Sequence, residues 1–121
     1  MVKVYVCGAY SSPDVIGAFR NVGRGQYYAG ILFKEGFAPF CPFLDFQFVI
    51  QLWDLDFSVE EFYKYSMEWL KVSDCLFVVP NVQGMKDWQD SHGTRAEIAE
   101  AEKLGIPVFY ELEDLFNRYD K

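Results

Sequence analysis

The chain has 121 residues, of which 51% are hydrophobic and 19% aromatic, which is material for one core and too little length for two. Its net charge of −7 excludes a general binder of nucleic-acid polymers, because phosphate backbones select basic surfaces. No stretch reaches membrane-spanning length, and the apolar run at the N-terminus is too short for a signal peptide. The expectation is therefore one cytoplasmic domain over residues 1–121, without a membrane partner.

In chain order, Val2 to Cys7 is a β-branched and aromatic run closed by Gly8, which reads as a buried first strand. Ser11-Ser12-Pro13-Asp14 supplies N-cap residues and a helix-starting proline. Apolar Ile16, Phe19, Tyr27, Ile31 and Leu32 then recur at helical spacing as far as Gly36, a C-terminal stop. Gly23 and Gly25 weaken the middle of that helix and predict a kink. Phe37 to Cys41 reads as a short second strand interrupted by Pro39. Residues 43–57 are rich in rings but show no clean period, so they read as a long functional loop with one helical turn.

Ser58 and Glu61 form a capping box that opens a helix to about Val72. Cys75 to Val79 is a second fully apolar strand, and Asn81 to Asp90 a polar loop. A helix follows Gly93 and stops at Gly105. Ile106 to Tyr110 is the last strand and Leu112 to Tyr119 a final helix, with Glu111, Glu113 and Asp114 complementing its dipole. Apolar strands alternating with helices, and no hairpin signal, specify an α/β fold. It is a flavodoxin/Rossmann-like parallel sheet of four to five strands with helices on both faces. Ligands of such sheets sit beyond the carboxyl ends of the strands, which draws attention to 8–12 and 81–93.

Two motifs fall at that edge. Gly8-Ala9-Tyr10-Ser11 is a strand-to-helix turn in which Gly8 lets the backbone approach a ligand and Tyr10 offers a ring and a hydroxyl. It is equally a tight turn with a helix cap. The second runs from Trp88 through Ser91, His92 and Gly93 to Glu97. Ser91 and Gly93 open a helix where an anion or hydroxyl is favoured, and Glu97 lies one turn further on, facing the strand ends. A buried carboxylate there must pair or act; a first-turn acid answering the helix dipole is the plainer reading. Asp74 reads as a turn residue. Arg20 and Arg24 lie on the first helix, where they reach an anion or simply face water. Trp53 and Trp88 cover a base or fill an interface. Cys7, Cys41 and Cys75 read as core thiols of a reducing compartment. With His92 the one histidine, no zinc set is present, and no metal or organic cofactor is implied.

Val4-Tyr5-Val6-Cys7-Gly8-Ala9-Tyr10-Ser11, Gly36-Phe37-Ala38-Pro39-Phe40, Ser73-Asp74-Cys75-Leu76, Ser91-x-Gly93-x-x-x-Glu97 and Gly105-Ile106-Pro107-Val108 occur in an order and spacing that resemble the nucleoside 2-deoxyribosyltransferase superfamily. The likeness is greatest to its nucleotide N-glycosidase branch and to small phage and bacterial relatives. The resemblance implies that Glu97 attacks the anomeric carbon of a deoxyribosyl unit, after which water or a second base resolves the glycosyl-enzyme. A serine at 91 in place of an acid resembles the branch that takes 5′-monophosphates. The implied substrate contacts are Gly8, Tyr10, Ser11, Ser91, Gly93, Trp88 and Ser66, and the implied assembly is a homodimer or larger homo-oligomer.

Two departures mark the chain. Ala9 replaces a common proline, and Ser66 stands eight residues before Asp74, where relatives carry an aspartate that assists the leaving base. The reading is thus an enzyme that cleaves or transfers the N-glycosidic bond of a (deoxy)nucleoside 5′-monophosphate. The alternatives are a non-catalytic nucleotide-binding module and an interaction protein that docks a partner through loop 43–57.

Overall fold

The computed structural model describes residues 1–9, 15–42, 48, 51–52, 54–80 and 91–121. Four strands, β1 (Lys3–Cys7), β2 (Ala38–Phe40), β3 (Cys75–Val78) and β4 (Val108–Phe109), pair in parallel in the order β2-β1-β3-β4. Four helices, α1 (Val15–Lys34), α2 (Val59–Lys71), α3 (His92–Lys103) and α4 (Leu112–Arg118), connect and follow them. The α/β expectation holds with four strands among the described residues.

Strand alternation sorts the core into two layers. Val4, Val6, Phe77 and Val79 point to one face and pack with Leu32 of α1 and Leu115 of α4. Tyr5, Cys7, Leu76 and Val78 point to the other and pack with Leu70 of α2 and Ile98 and Ala101 of α3. Both faces of the central strands are covered, which is why β1 and β3 read as continuous apolar runs. The three cysteines are buried and free.

Two helices end in the same way. Gly36 and Gly105 adopt φ of +91° and +74°, conformations that only glycine enters without strain. The following amides of Phe37 and Ile106 return to the carbonyls of Leu32 and Ala101 at 3.0 and 2.8 Å. These are the six-to-one bonds of a Schellman stop, and they hand the chain directly to β2 and β4. At the start of α2, Ser58 accepts from the Glu61 amide while Glu61 accepts from the Ser58 amide, as the capping box requires. Asp74 is a turn residue: its carboxylate accepts the Lys3 amide at 2.8 Å, tying the start of β1 to the start of β3.

Several expectations are corrected. The sheet-facing side of helix α1 is Asn21, Gly25 and Leu32. Ile16, Phe19 and Tyr27, the residues whose spacing marks the helix in the sequence, face solvent instead. Helix α3 begins at His92 rather than after Gly93, because Ser91 is its N-cap. β4 keeps two residues of the five expected. Of loop 43–57, residues 43–47, 49–50 and 53 lie outside the described residues.

Gly8 follows β1 for a reason of packing. A Cβ at this position would stand 2.9 Å from the Cβ of Val79, whose amide bonds the Cys7 carbonyl at 2.7 Å. Neither backbone can retreat without losing that bond. Gly8→Ala is expected to cost about 1–3 kcal/mol in urea unfolding without any ligand present, whereas an unchanged midpoint would show that the turn relaxes freely.

Candidate functional site

Tyr5 is a polar ring in an otherwise aliphatic and thiol-bearing strand. Its place on β1 directs it to the layer shared with α2 and α3, where it is fully buried. A buried phenol hydroxyl needs a partner. It finds Glu97, to whose Oε2 it donates a hydrogen bond across 92 residues of sequence. Glu97 belongs to the inward stripe of α3, Thr94, Glu97, Ile98 and Ala101, which is the three-and-four spacing of one helical face. The Ser66 hydroxyl, buried on α2, hydrogen-bonds the Tyr5 oxygen in turn. Three elements thus bring Ser66, Tyr5 and Glu97 into one chain of polar groups inside an apolar layer.

The charges follow from burial. Glu97 is 9% exposed, and desolvation pushes its pKa up from 4.5 to about 7, with the Tyr5 hydrogen bond pulling the other way by favouring the anion. Burial, then the Glu97 charge, push the Tyr5 phenol far up, so it stays a neutral donor. The Cys7 thiol is pushed up by burial and by Glu97, and stays protonated. One carboxylate oxygen is held by Tyr5, and the group is about half ionised near neutrality.

Ser91 caps α3. Its oxygen accepts the Thr94 amide at 3.3 Å and the Thr94 hydroxyl at 3.0 Å, which leaves its own hydroxyl proton to donate elsewhere. Gly93 permits close packing: a Cβ there would lie 3.3 Å from the Tyr63 ring of α2. His92 is exposed beside that ring. Tyr10, Ser11 and Trp88 lie outside the described residues. Arg24 donates to the Pro80 carbonyl at 3.0 Å through one terminal nitrogen and covers the Tyr28 ring, and its buried Nε meets no acceptor among the described residues.

Sequence reasoning singled out Glu97 and Ser66 and missed Tyr5, the residue that joins them. The available signal was a tyrosine hydroxyl in a strand with no water-facing side. Among the described residues no cluster of three metal-ligating side chains occurs, and no helix is long and apolar enough to cross a membrane. An open hollow of about 700 Å³ lies at the opposite edge of the sheet, bounded by Val2, Gly36, Asp74, Pro107 and Tyr119, and holds no part of this group.

No protein-family model matches the chain, and no curated protein does. Among solved structures it is similar to the 2-deoxyribosyltransferase of the psychrotolerant bacterium Bacillus psychrosaccharolyticus. The TM-score is 0.58 at 22% identity, over 88% of this chain and 69% of that one. The likeness shows a shared fold.

A raised carboxyl pKa is also a statement about stability. Between 4.5 and about 7 the unfolded chain ionises Glu97 while the folded chain holds its proton. The fold therefore loses stability as pH rises through that window and does not regain it above. Glu97→Gln keeps an acceptor for Tyr5 and removes the charge. It is expected to be more stable than the wild type by about 1–3 kcal/mol at alkaline pH and equal to it at acid pH. A gap that does not change with pH would contradict the assignment.

Proposed function

We propose that the protein cleaves or transfers the N-glycosidic bond of a (deoxy)nucleoside or its 5′-monophosphate, with Glu97 as nucleophile. The observation that carries this reading is the buried carboxylate with one oxygen held by Tyr5. The free oxygen attacks C1′ of the sugar, the C1′–N bond breaks, and the base departs with the electron pair and takes up a proton. Water or a second base then attacks C1′ and returns Glu97 as a carboxylate. Tyr5 is the positioning residue: it fixes the carboxylate and favours its charged form. The spare Ser91 hydroxyl proton suits a sugar or phosphate oxygen at the helix start. Ser11 would share that task, with Tyr10 and Trp88 against sugar or base. The motif resemblance and the shared fold support the substrate class.

One observation favours a second reading, a nucleotide-binding module without turnover. Ser66 stands against the Tyr5 oxygen and, as an alcohol, supplies no acid for a departing base.

The test is release of free base, followed by chromatography, from a panel of (deoxy)nucleosides and 5′-monophosphates. The wild type is expected to release base at a rate that rises with pH through about 7, and Glu97→Gln to lose at least about 10³-fold. Tyr5→Phe removes the bond that lowers the Glu97 pKa, so the rising limb is expected at higher pH. Base release that survives Glu97→Gln would overturn the mechanism. Saturable nucleotide binding with no release would establish the binding module.

A further inference from the structure

Helix α1 turns an apolar face to solvent. Val15, Ile16, Phe19, Tyr27 and Phe33 are each 63–71% exposed. Together with Gly23 and Gly30 they fall within one arc of about 120° on the helix, which also holds exposed Gln26 and Lys34. At both glycines a Cβ would meet nothing within 4 Å, so each is an open notch at the centre of the face. The helix contains no acidic residue, in a chain that carries 18. At those exposures the five large side chains present roughly 600 Å² of mostly apolar surface, well above what scattered surface residues account for. Two such faces together bury about 1,200 Å², the lower end of a specific interface.

The order of large and small residues along the helix complements itself. An antiparallel pairing about a two-fold axis near Arg24 and Gly25 places residues whose numbers sum to about 49 opposite one another. Phe19 then meets Gly30 of the second copy, and Tyr27 meets Gly23 to within one residue. Large side chains enter notches at each contact, and a two-fold repeats each contact. The two Arg20 side chains are held about 13 Å apart along the axis, beyond the screening length at physiological ionic strength. A parallel pairing would stack Phe19 on Phe19 and Arg20 on Arg20.

We propose that this face of α1 is the contact of an isologous, antiparallel dimer of this chain, with Phe19 and Tyr27 seated over Gly30 and Gly23 of the second copy. The dimer does not depend on the chemistry of Glu97, so its test reads mass rather than activity. Sedimentation and light scattering up to about 100 μM are expected to give twice the chain mass for the wild type. Phe19→Glu, at a site exposed enough to leave the fold intact by circular dichroism, is expected to give the single-chain mass. Gln26→Cys lies beside the axis and is expected to form a covalent dimer on mild oxidation. Phe33→Cys, about 25 Å from its twin along the axis, is not; the native thiols are buried. A monomeric wild type would overturn the proposal, including one that instead floats with anionic vesicles. So would a dimer that survives Phe19→Glu, or crosslinking at Phe33→Cys rather than at Gln26→Cys.

Discussion

The hydrogen bond from Tyr5 to Glu97 organises the layer between the sheet and helices α2 and α3. A carboxylate taken out of water must be paired or neutralised, and among the described residues Tyr5 is the side chain that meets it. The bond requires β1 to present Tyr5 toward α3, which its alternation with Val4 and Val6 ensures. It also requires α3 to begin at the right residue. Ser91 fixes that start, and the missing side chain of Gly93 lets α2 close in through Tyr63, bringing Ser66 against the Tyr5 oxygen. One turn of register in α3 would carry Glu97 away from the phenol.

The buried carboxyl opposes the stability of the fold wherever it is ionised. An apolar side chain in place of Glu97 would fill the same layer without a desolvation penalty. Here the chain keeps a carboxyl whose charge is opposed by burial and supported by one neutral donor. The result is a group that ionises near neutrality while one of its oxygens is already held in place. A nucleophile needs that combination of fixed geometry and available charge. The opposite hollow, bounded in part by Asp74, has no comparable buried group, since the Asp74 carboxylate is spent on the Lys3 amide.

Much of this was legible in the order of residues. All-apolar β1 and β3 announced a sheet covered on both sides, and Gly36 and Gly105 announced where two helices end. Ser58 with Glu61 and the Ser91-x-Gly93-x-x-x-Glu97 spacing placed α2, α3 and the carboxylate. What was not legible arises from contacts distant in sequence. Nothing near Tyr5 says that its hydroxyl meets residue 97, and nothing near Ser66 says that it stands against Tyr5. The packing need at Gly8 was not legible, because the neighbour that needs its space, Val79, lies 71 residues on. Helix α1 misled for a different reason: its apolar spacing is real, but it marks the outer face. Asn21, Gly25 and Leu32 are a poor hydrophobic pattern for a core face.

The most direct test of the account is the titration of the Glu97 side-chain carboxyl by carbon NMR, in the wild type and in Tyr5→Phe, because it needs no substrate. The account predicts a pKa of about 7 in the wild type and a higher value once the phenol hydroxyl is removed. A Glu97 that titrates at the ordinary value of 4.5, or that is unmoved by Tyr5→Phe, would contradict it.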